Sequence, residues 1–182
     1  MTTADLVAMV SVGLLALAAL SVIGFTLWLG ISPMPTTPQV RAVMLELIPD
    51  GEGELHELGA GWGGLSLALA KRAPHRKVVA WELSWLPCLV TALRARASGL
   101  RNLEVRRANF LGADLSSARV LVCYLFTGGM AALDAKLRRE RAGAPLVIVT
   151  NTFLLRGWPA ETQRTVDDLY RTVVARYVGV PR

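Results

Sequence analysis

Hydrophobic and polar positions divide the chain into two unlike stretches. From Leu6 to Ile31 no side chain is charged and most are Leu, Val, Ala or Ile. A helix through this run, at about 1.5 Å per residue, exceeds the roughly 30 Å hydrocarbon core of a bilayer. It has no polar face, which argues against a helix half-buried in a soluble core. The pattern predicts one transmembrane helix within an N-terminal anchor, residues 1–31. A cleaved signal peptide fits less well. No Lys or Arg precedes the run, it is long for an apolar h-region, and Trp28-Leu29-Gly30-Ile31-Ser32-Pro33 offers no Ala-x-Ala site.

Residues 32–37, with Pro33 and Pro35 and closed by Pro38, read as a stiff linker, because proline removes backbone donors and biases its predecessor toward extended backbone. Helical periodicity then begins. Thr37 is a candidate N-cap and Pro38 a tolerated first-turn residue; Val40, Val43, Met44 and Leu47 share one face, and the helix should end near Pro49-Asp50-Gly51. Beyond it, strand-like segments (Glu54 to Leu58, Lys77 to Leu83, Leu103 to Arg106, Val120 to Phe126, Pro145 to Thr150, Thr172 to Val178) alternate with helix-like ones. The latter are Leu65 to Arg72, Leu86 to Ala97, Met130 to Arg141 and Ala160 to Leu169. The rhythm predicts one Rossmann-like α/β domain over 38–182, with an open sheet and helices on both faces.

The length of 182 residues accommodates an anchor and one compact domain. A mean hydropathy of +0.42 is high for a soluble protein, and the anchor accounts for it. The first basic side chain, Arg41, follows the span and none precedes it, which predicts a single-pass protein of the cell membrane with its domain in the cytoplasm. The net charge of +6 comes from arginines in Arg72 to Arg76, Arg94 to Arg107 and Arg138 to Arg141, placed to rest against anionic headgroups. No nucleic-acid-binding motif accompanies them, so no nucleic acid partner is expected. Cys88 and Cys123 lack the close ligand neighbours of a zinc site and read as packing residues; His56 and His75 read as structural, and no metal is expected.

Chemistry is signalled at the first strand-to-helix turn, Glu57-Leu58-Gly59-Ala60-Gly61-Trp62-Gly63-Gly64. Glycines there permit a tight turn and close approach of a ligand to a helix N-terminus. About 20 residues on, Val78-Val79-Ala80-Trp81-Glu82 ends in a carboxylate suited to a ribose diol. Gly59, Gly61 and Gly64 also satisfy the Gly-x-Gly-x-x-Gly spacing of dinucleotide binders. Glu57 tips the choice, since it suits the cationic amino acid end of S-adenosylmethionine and would repel a pyrophosphate. A helix before the first strand and the short remaining chain point the same way.

Glu57 to Gly63, Glu82 to Ser84 and Asn109-Phe110 resemble successive motifs of class I S-adenosylmethionine-dependent methyltransferases. Together with the anchor, Pro35-Thr36-Thr37-Pro38-Gln39-Val40-Arg41 and Trp81-Glu82-Leu83-Ser84, the layout resembles the membrane-anchored ATP synthase c-subunit lysine methyltransferase family and its prokaryotic relatives. The resemblance implies that Gly59, Gly61 and Gly63 cradle the cofactor, Glu57 polarises its amino acid end, Glu82 holds the ribose, and Leu83, Asn109 and Phe110 surround the adenine. Asn109 stands where such families usually carry an acid, and Trp62 where they often carry Asp; Trp62 either stacks over the cofactor or closes the turn.

Trp81 and Trp85 are expected to pack, and Trp28 to mark the membrane interface. Tyr124, Phe126 and Thr127 follow the fourth strand, beside the expected crevice, and with Trp158 are the candidates for an acceptor channel. Methyl transfer needs an aligned, desolvated nucleophile more than an acid or base. Tyr124 is the candidate for orienting it. A lysine acceptor on a membrane protein rests on the resemblance; a membrane-embedded lipid or quinone, or a noncatalytic adaptor role, are the competing readings.

Overall fold

The computed structural model describes residues 2–29 and 35–180. The chain divides into two compact units, Met1–Met34 and Pro35–Arg182. The first is helix α1, Thr3–Leu29, 27 residues whose only ionisable side chain is Asp5. Taken over the described side chains alone, no helix is long and apolar enough to cross a membrane. The side chains of residues 14, 18, 21, 22 and 25–29 lie outside that set, and with them the Trp28 interface assignment; linker residues 32–34 lie outside it too.

The second unit is an open sheet of seven strands: β1 Glu54–Leu58, β2 Val78–Glu82, β3 Leu103–Arg107, β4 Ala118–Cys123, β5 Val147–Asn151, β6 Thr162–Thr165 and β7 Val173–Val178. Their order is β3-β2-β1-β4-β5-β7-β6. The first five strands pair in parallel, whereas β7 runs antiparallel between β5 and β6. The helices are α2 Pro38–Glu46, α3 Gly64–Arg72, α4 Trp85–Ala97 and α5 Thr127–Arg141. The expected α/β architecture is present, and Thr37 caps α2 as its sequence predicts, accepting a hydrogen bond from Val40 N at 3.3 Å.

Alternation along the strands sorts the core into two layers. Val120 and Val122 of β4 face α2 and α3, joining Val40, Met44, Leu65 and Leu69; Leu121 and Cys123 face α5, joining Leu133 and Leu137. β2, β4 and β5 are mainly apolar because both faces of the sheet are covered there.

One expected element is corrected. Ala160 to Leu169 does not form a helix: Thr162–Thr165 is the edge strand β6, and Val166 N donates to Thr172 O at 2.8 Å to close a hairpin with β7. Asp168 holds the turn, its carboxylate accepting from Thr172 N at 2.8 Å and Thr172 Oγ1 at 2.7 Å. β-Branched Thr162, Thr165 and Val166 favour this pairing over a helix. The fourth strand also ends at Cys123 rather than Phe126, which releases Tyr124, Leu125 and Phe126 into the loop before α5.

The histidines are structural. Buried His56 accepts from Trp81 Nε1 on Nδ1 at 3.3 Å, so its Nε2 carries the proton donated to Glu54 at 2.9 Å. Burial holds its pKa below the ordinary histidine value. His75 is exposed, with Nε2 3.3 Å from Gly51 O. Trp81 and Cys123 are buried as expected, and Cys88 is half-buried. Trp85 departs from expectation: it is 41% exposed.

Candidate functional site

Parallel register gathers the chemistry at one sheet edge. Leu58 is paired with Trp81 on one side and Cys123 on the other, and Cys123 with Thr150. The residues that follow each, Gly59, Glu82, Tyr124 and Asn151, therefore share the C-terminal edge, where open α/β sheets bind ligands.

The turn after β1 is held by backbone and by its neighbours. Gly59 N and Ala60 N both donate to Trp81 O at 2.9 Å, and Gly63 N to Ala60 O at 3.0 Å. Thr91 Oγ1 of α4 donates to Gly61 O at 2.9 Å, and Arg94 of the same helix to Trp62 O. Arg41 of α2 reaches the first turn of α3, donating to Gly64 O at 3.2 Å. The sequence does not mark Thr91, and it marks Arg41 and Arg94 only for their charge and not for these contacts. Their partners are main-chain carbonyls, which leave no residue-specific signal at a separation of 20 positions or more.

The glycines divide by environment. Gly61, φ +53°, has open space where a Cβ would point. Gly63, φ +77°, is pressed against α4: a Cβ there would lie 2.5 Å from Thr91 Cγ2 and 2.7 Å from Thr91 Oγ1. Gly61 thus leaves the room a ligand needs, while Gly63 lets two helices approach.

Glu82 is the hinge of the site. One carboxylate oxygen accepts from Gly61 N and the other from Ser84 N, each at 2.7 Å, so the acid ties the glycine turn to the start of α4. Each oxygen keeps a further lone pair for an outside donor. Glu57 is buried, accepts from Ser66 Oγ, and is pushed up to about 8 chiefly by burial, with the Glu82 charge adding to the shift.

Leu83 is half-buried beside Glu82. Ala108 N donates to Glu82 O at 3.1 Å and brings the next two residues alongside. Exposed Asn109 spends one acceptor on Leu111 N at 3.0 Å, capping the 3-10 turn Phe110–Gly112; Phe110 packs partly against the core.

On the other side, the Tyr124 ring stacks on Phe153, centroids 6.2 Å apart and planes 22° from parallel. Phe153 follows Thr152, which sits at φ +64°. A non-glycine residue in that region is uncommon and is held here by Thr152 N donating to Val173 O at 2.8 Å and Thr152 Oγ1 to Asn151 Oδ1 at 2.8 Å. Phe126, 38% exposed, folds back over Gly128 and Gly129, whose added Cβ atoms would meet its ring at 2.6 and 3.2 Å. Thr127 is exposed at the first turn of α5. Trp158 does not join these residues. It is a core side chain, donating from Nε1 to Asp134 Oδ1 at 2.6 Å and meeting Tyr177 edge-on. The indole N–H is satisfied by the half-buried Asp134 carboxylate, and Phe153 takes the aromatic position instead.

Residues 57–162 match the ANTKMT methyltransferase domain, a stretch running from Glu57 through the glycine turn to β6. The chain belongs to that family. A protein-lysine N-methyltransferase of Saccharolobus islandicus is 27% identical over 148 residues, 80% of this chain and 91% of the relative. Among solved structures, an RNA methyltransferase from Salinibacter ruber in complex with S-adenosyl-L-homocysteine superposes with TM-score 0.69 at 24% identity, covering 82% of this chain and 95% of the other. A precorrin-6y C5,15-methyltransferase from Geobacter metallireducens gives 0.61 at 17% identity, covering 81% and 91%. Such dissimilar acceptors on one fold mean that the sheet carries methyl transfer but not the choice of acceptor.

The methyltransferase uses S-adenosylmethionine as methyl donor. The residues present fit that ligand: the space left by Gly61 adjoins a carboxylate with lone pairs to spare for a diol. As it stands, buried Glu57 is engaged with Ser66 rather than turned to an outside cation.

Proposed function

We propose that this methyltransferase is held at the cell membrane by α1, with its catalytic unit in the cytoplasm, and methylates a lysine amine of a membrane-associated protein. The observation that carries the reading is the edge itself: a carboxylate pinned by Gly61 N and Ser84 N on one side and the Tyr124–Phe153 stack on the other. Glu82 binds the ribose hydroxyls; Gly61 leaves room for the cofactor, while Gly59, against Leu125, and Gly63, against Thr91, seat the turn that cradles it. Leu83, Asn109 and Phe110 border the adenine, and Glu57 meets the cationic amino acid end once, beside that charge, it has lost its proton and turned from Ser66. Bound there, the cofactor supplies an electrophilic methyl group on a sulfonium.

Tyr124, Phe126 and Thr127 border the acceptor path. An aromatic, poorly solvated wall disfavours an ammonium and so delivers the amine neutral, with its lone pair free. The Tyr124 hydroxyl orients it. Lysine as acceptor is supported by the relative from Saccharolobus islandicus. The membrane is supported by the uncharged run Leu6 to Ile31 and the length of α1, and the cytoplasmic side by Arg41 following the span with no basic residue before it.

The test is incubation of native membranes with methyl-labelled S-adenosylmethionine and the full-length chain. Label in a protein band, recovered as methyl-lysine after hydrolysis, is the expected result. Label in the organic extract would replace the acceptor with a lipid or quinone, and absence of cofactor binding by the folded protein would leave an adaptor. Reaction of a cysteine placed on α3 with a membrane-impermeant maleimide in intact cells would overturn the orientation.

A further inference from the structure

The outward face of α4 is apolar where a surface helix is ordinarily polar. Thr91 and Ala95 turn inward and are buried, while Trp85, Leu89 and Leu93 are 41%, 48% and 57% exposed. Spaced four residues apart, they fall within about 80° of one another around the helix axis, a single stripe. The only charged side chains of α4 are Arg94 and Arg96, in its last turn. Arg101 follows just beyond, exposed, and Arg107, exposed and in register with Glu82, flanks the other end. No carboxylate lies on the helix.

We propose that this stripe rests in the headgroup region of an anionic lipid bilayer, with Arg96, Arg101 and Arg107 on the lipid phosphates. Charge decides between occupants. A second copy of the same face would bring arginines against arginines, whereas anionic headgroups pair with them. The other exposed apolar pair, Leu169 and Tyr170 at the tip of the β6–β7 hairpin, sits beside Asp167 and Asp168, which the same surface would repel.

This inference rests on the proposed anchor, which would bring the chain to a bilayer. Because α4 begins three residues after Glu82, the contact fixes the cofactor end of the crevice relative to the membrane.

The experiment uses the full-length chain in vesicles. In a Cys88→Ser background, with Cys123 buried and unreactive, a nitroxide is attached at Leu89→Cys or Leu93→Cys, and at Gln163→Cys on β6 for reference. Collision with oxygen, which concentrates in lipid, is compared with collision with a water-soluble nickel chelate. In vesicles containing phosphatidylglycerol, the α4 labels should favour oxygen severalfold over the reference. The preference should fall in pure phosphatidylcholine, in high salt, and with Arg96→Gln, an exposed change that leaves the stripe intact.

Labels as water-exposed as position 163, labels shielded from both reagents, or lipid contact indifferent to headgroup charge would each overturn the proposal. Retention on vesicles after a high-salt wash reads α1 separately. Retention with water-exposed α4 labels sinks this inference and spares the anchor; salt-released protein with lipid-facing labels does the reverse.

Discussion

The two sides of the crevice are built by different means. The β2 side is a backbone construction: Gly59, Ala60 and Gly61 donate to Trp81 O and Glu82, and Thr91 and Arg94 return to the carbonyls of Gly61 and Trp62. The β5 side is a side-chain construction, in which Tyr124 lies on Phe153 and Phe126 on the bare backbone of Gly128 and Gly129. A hydrogen-bonded turn accepts little variation, whereas stacked rings can be exchanged without undoing the sheet. The contrast suits an enzyme fold that keeps one methyl donor and changes its acceptors.

The sharpest way to break the comparison is at Glu82. Glu82→Ala removes both the proposed ribose contacts and the tie between turn and α4, and should weaken cofactor binding at least ~100-fold by calorimetry, at about 1.5–3 kcal/mol for each hydrogen bond to a charged group. An unchanged Kd would dismiss the β2 side as the cofactor site. Next in size, Gly63→Ala drives a Cβ into Thr91 at a left-handed φ and should cost about 3 kcal/mol in denaturant unfolding. Gly61→Ala meets open space, so it should cost only about 1 kcal/mol of stability while impairing cofactor binding more than stability. Equal stability losses would erase the division between the two glycines.

Glu57 gives a pH test. Its folded carboxyl, at about 8 against an ordinary 4.5, holds a proton that the unfolded chain has lost. The stability it contributes is therefore present below the unfolded value and disappears as pH rises through the folded one. Thermal melts of wild type and Glu57→Gln should diverge between about pH 5 and pH 9, the wild type falling relative to the variant; a gap independent of pH would mean the carboxyl is not buried as described. Smallest is Phe153→Leu, which removes one stacked ring worth about 0.5–1.5 kcal/mol and should raise the acceptor KM by about 3- to 10-fold, leaving cofactor Kd unchanged. A matching loss of cofactor affinity would place Phe153 on the wrong side.

What was legible in the sequence follows the same division. The strand, glycine turn, helix, strand and acid of the β2 side are contiguous or about 20 residues apart, so local pattern reached Gly61 and Glu82 and located Thr37 as a cap. The β5 side depends on partners brought from far along the chain. Trp158 reads as a channel residue from the sequence, but Asp134, 24 residues away, accepts its N–H and holds the ring in the core. Phe153 owes its position to Thr152, whose strained φ is held from β7. The missed edge strand shows the limit again: Asp167-Asp168-Leu169-Tyr170 reads as the end of a helix until β7 is present to pair with Thr162–Thr165.

The position of β7 has a consequence during synthesis. The last strand of the described sheet lies between β5 and β6, not at an edge, so until Val173–Val178 leaves the ribosome β6 has no partner and β5 has only β4. At about 5–20 residues per second, the roughly 150 residues after α1 take on the order of 7–30 s to make. For nearly all of that interval the catalytic sheet is still open.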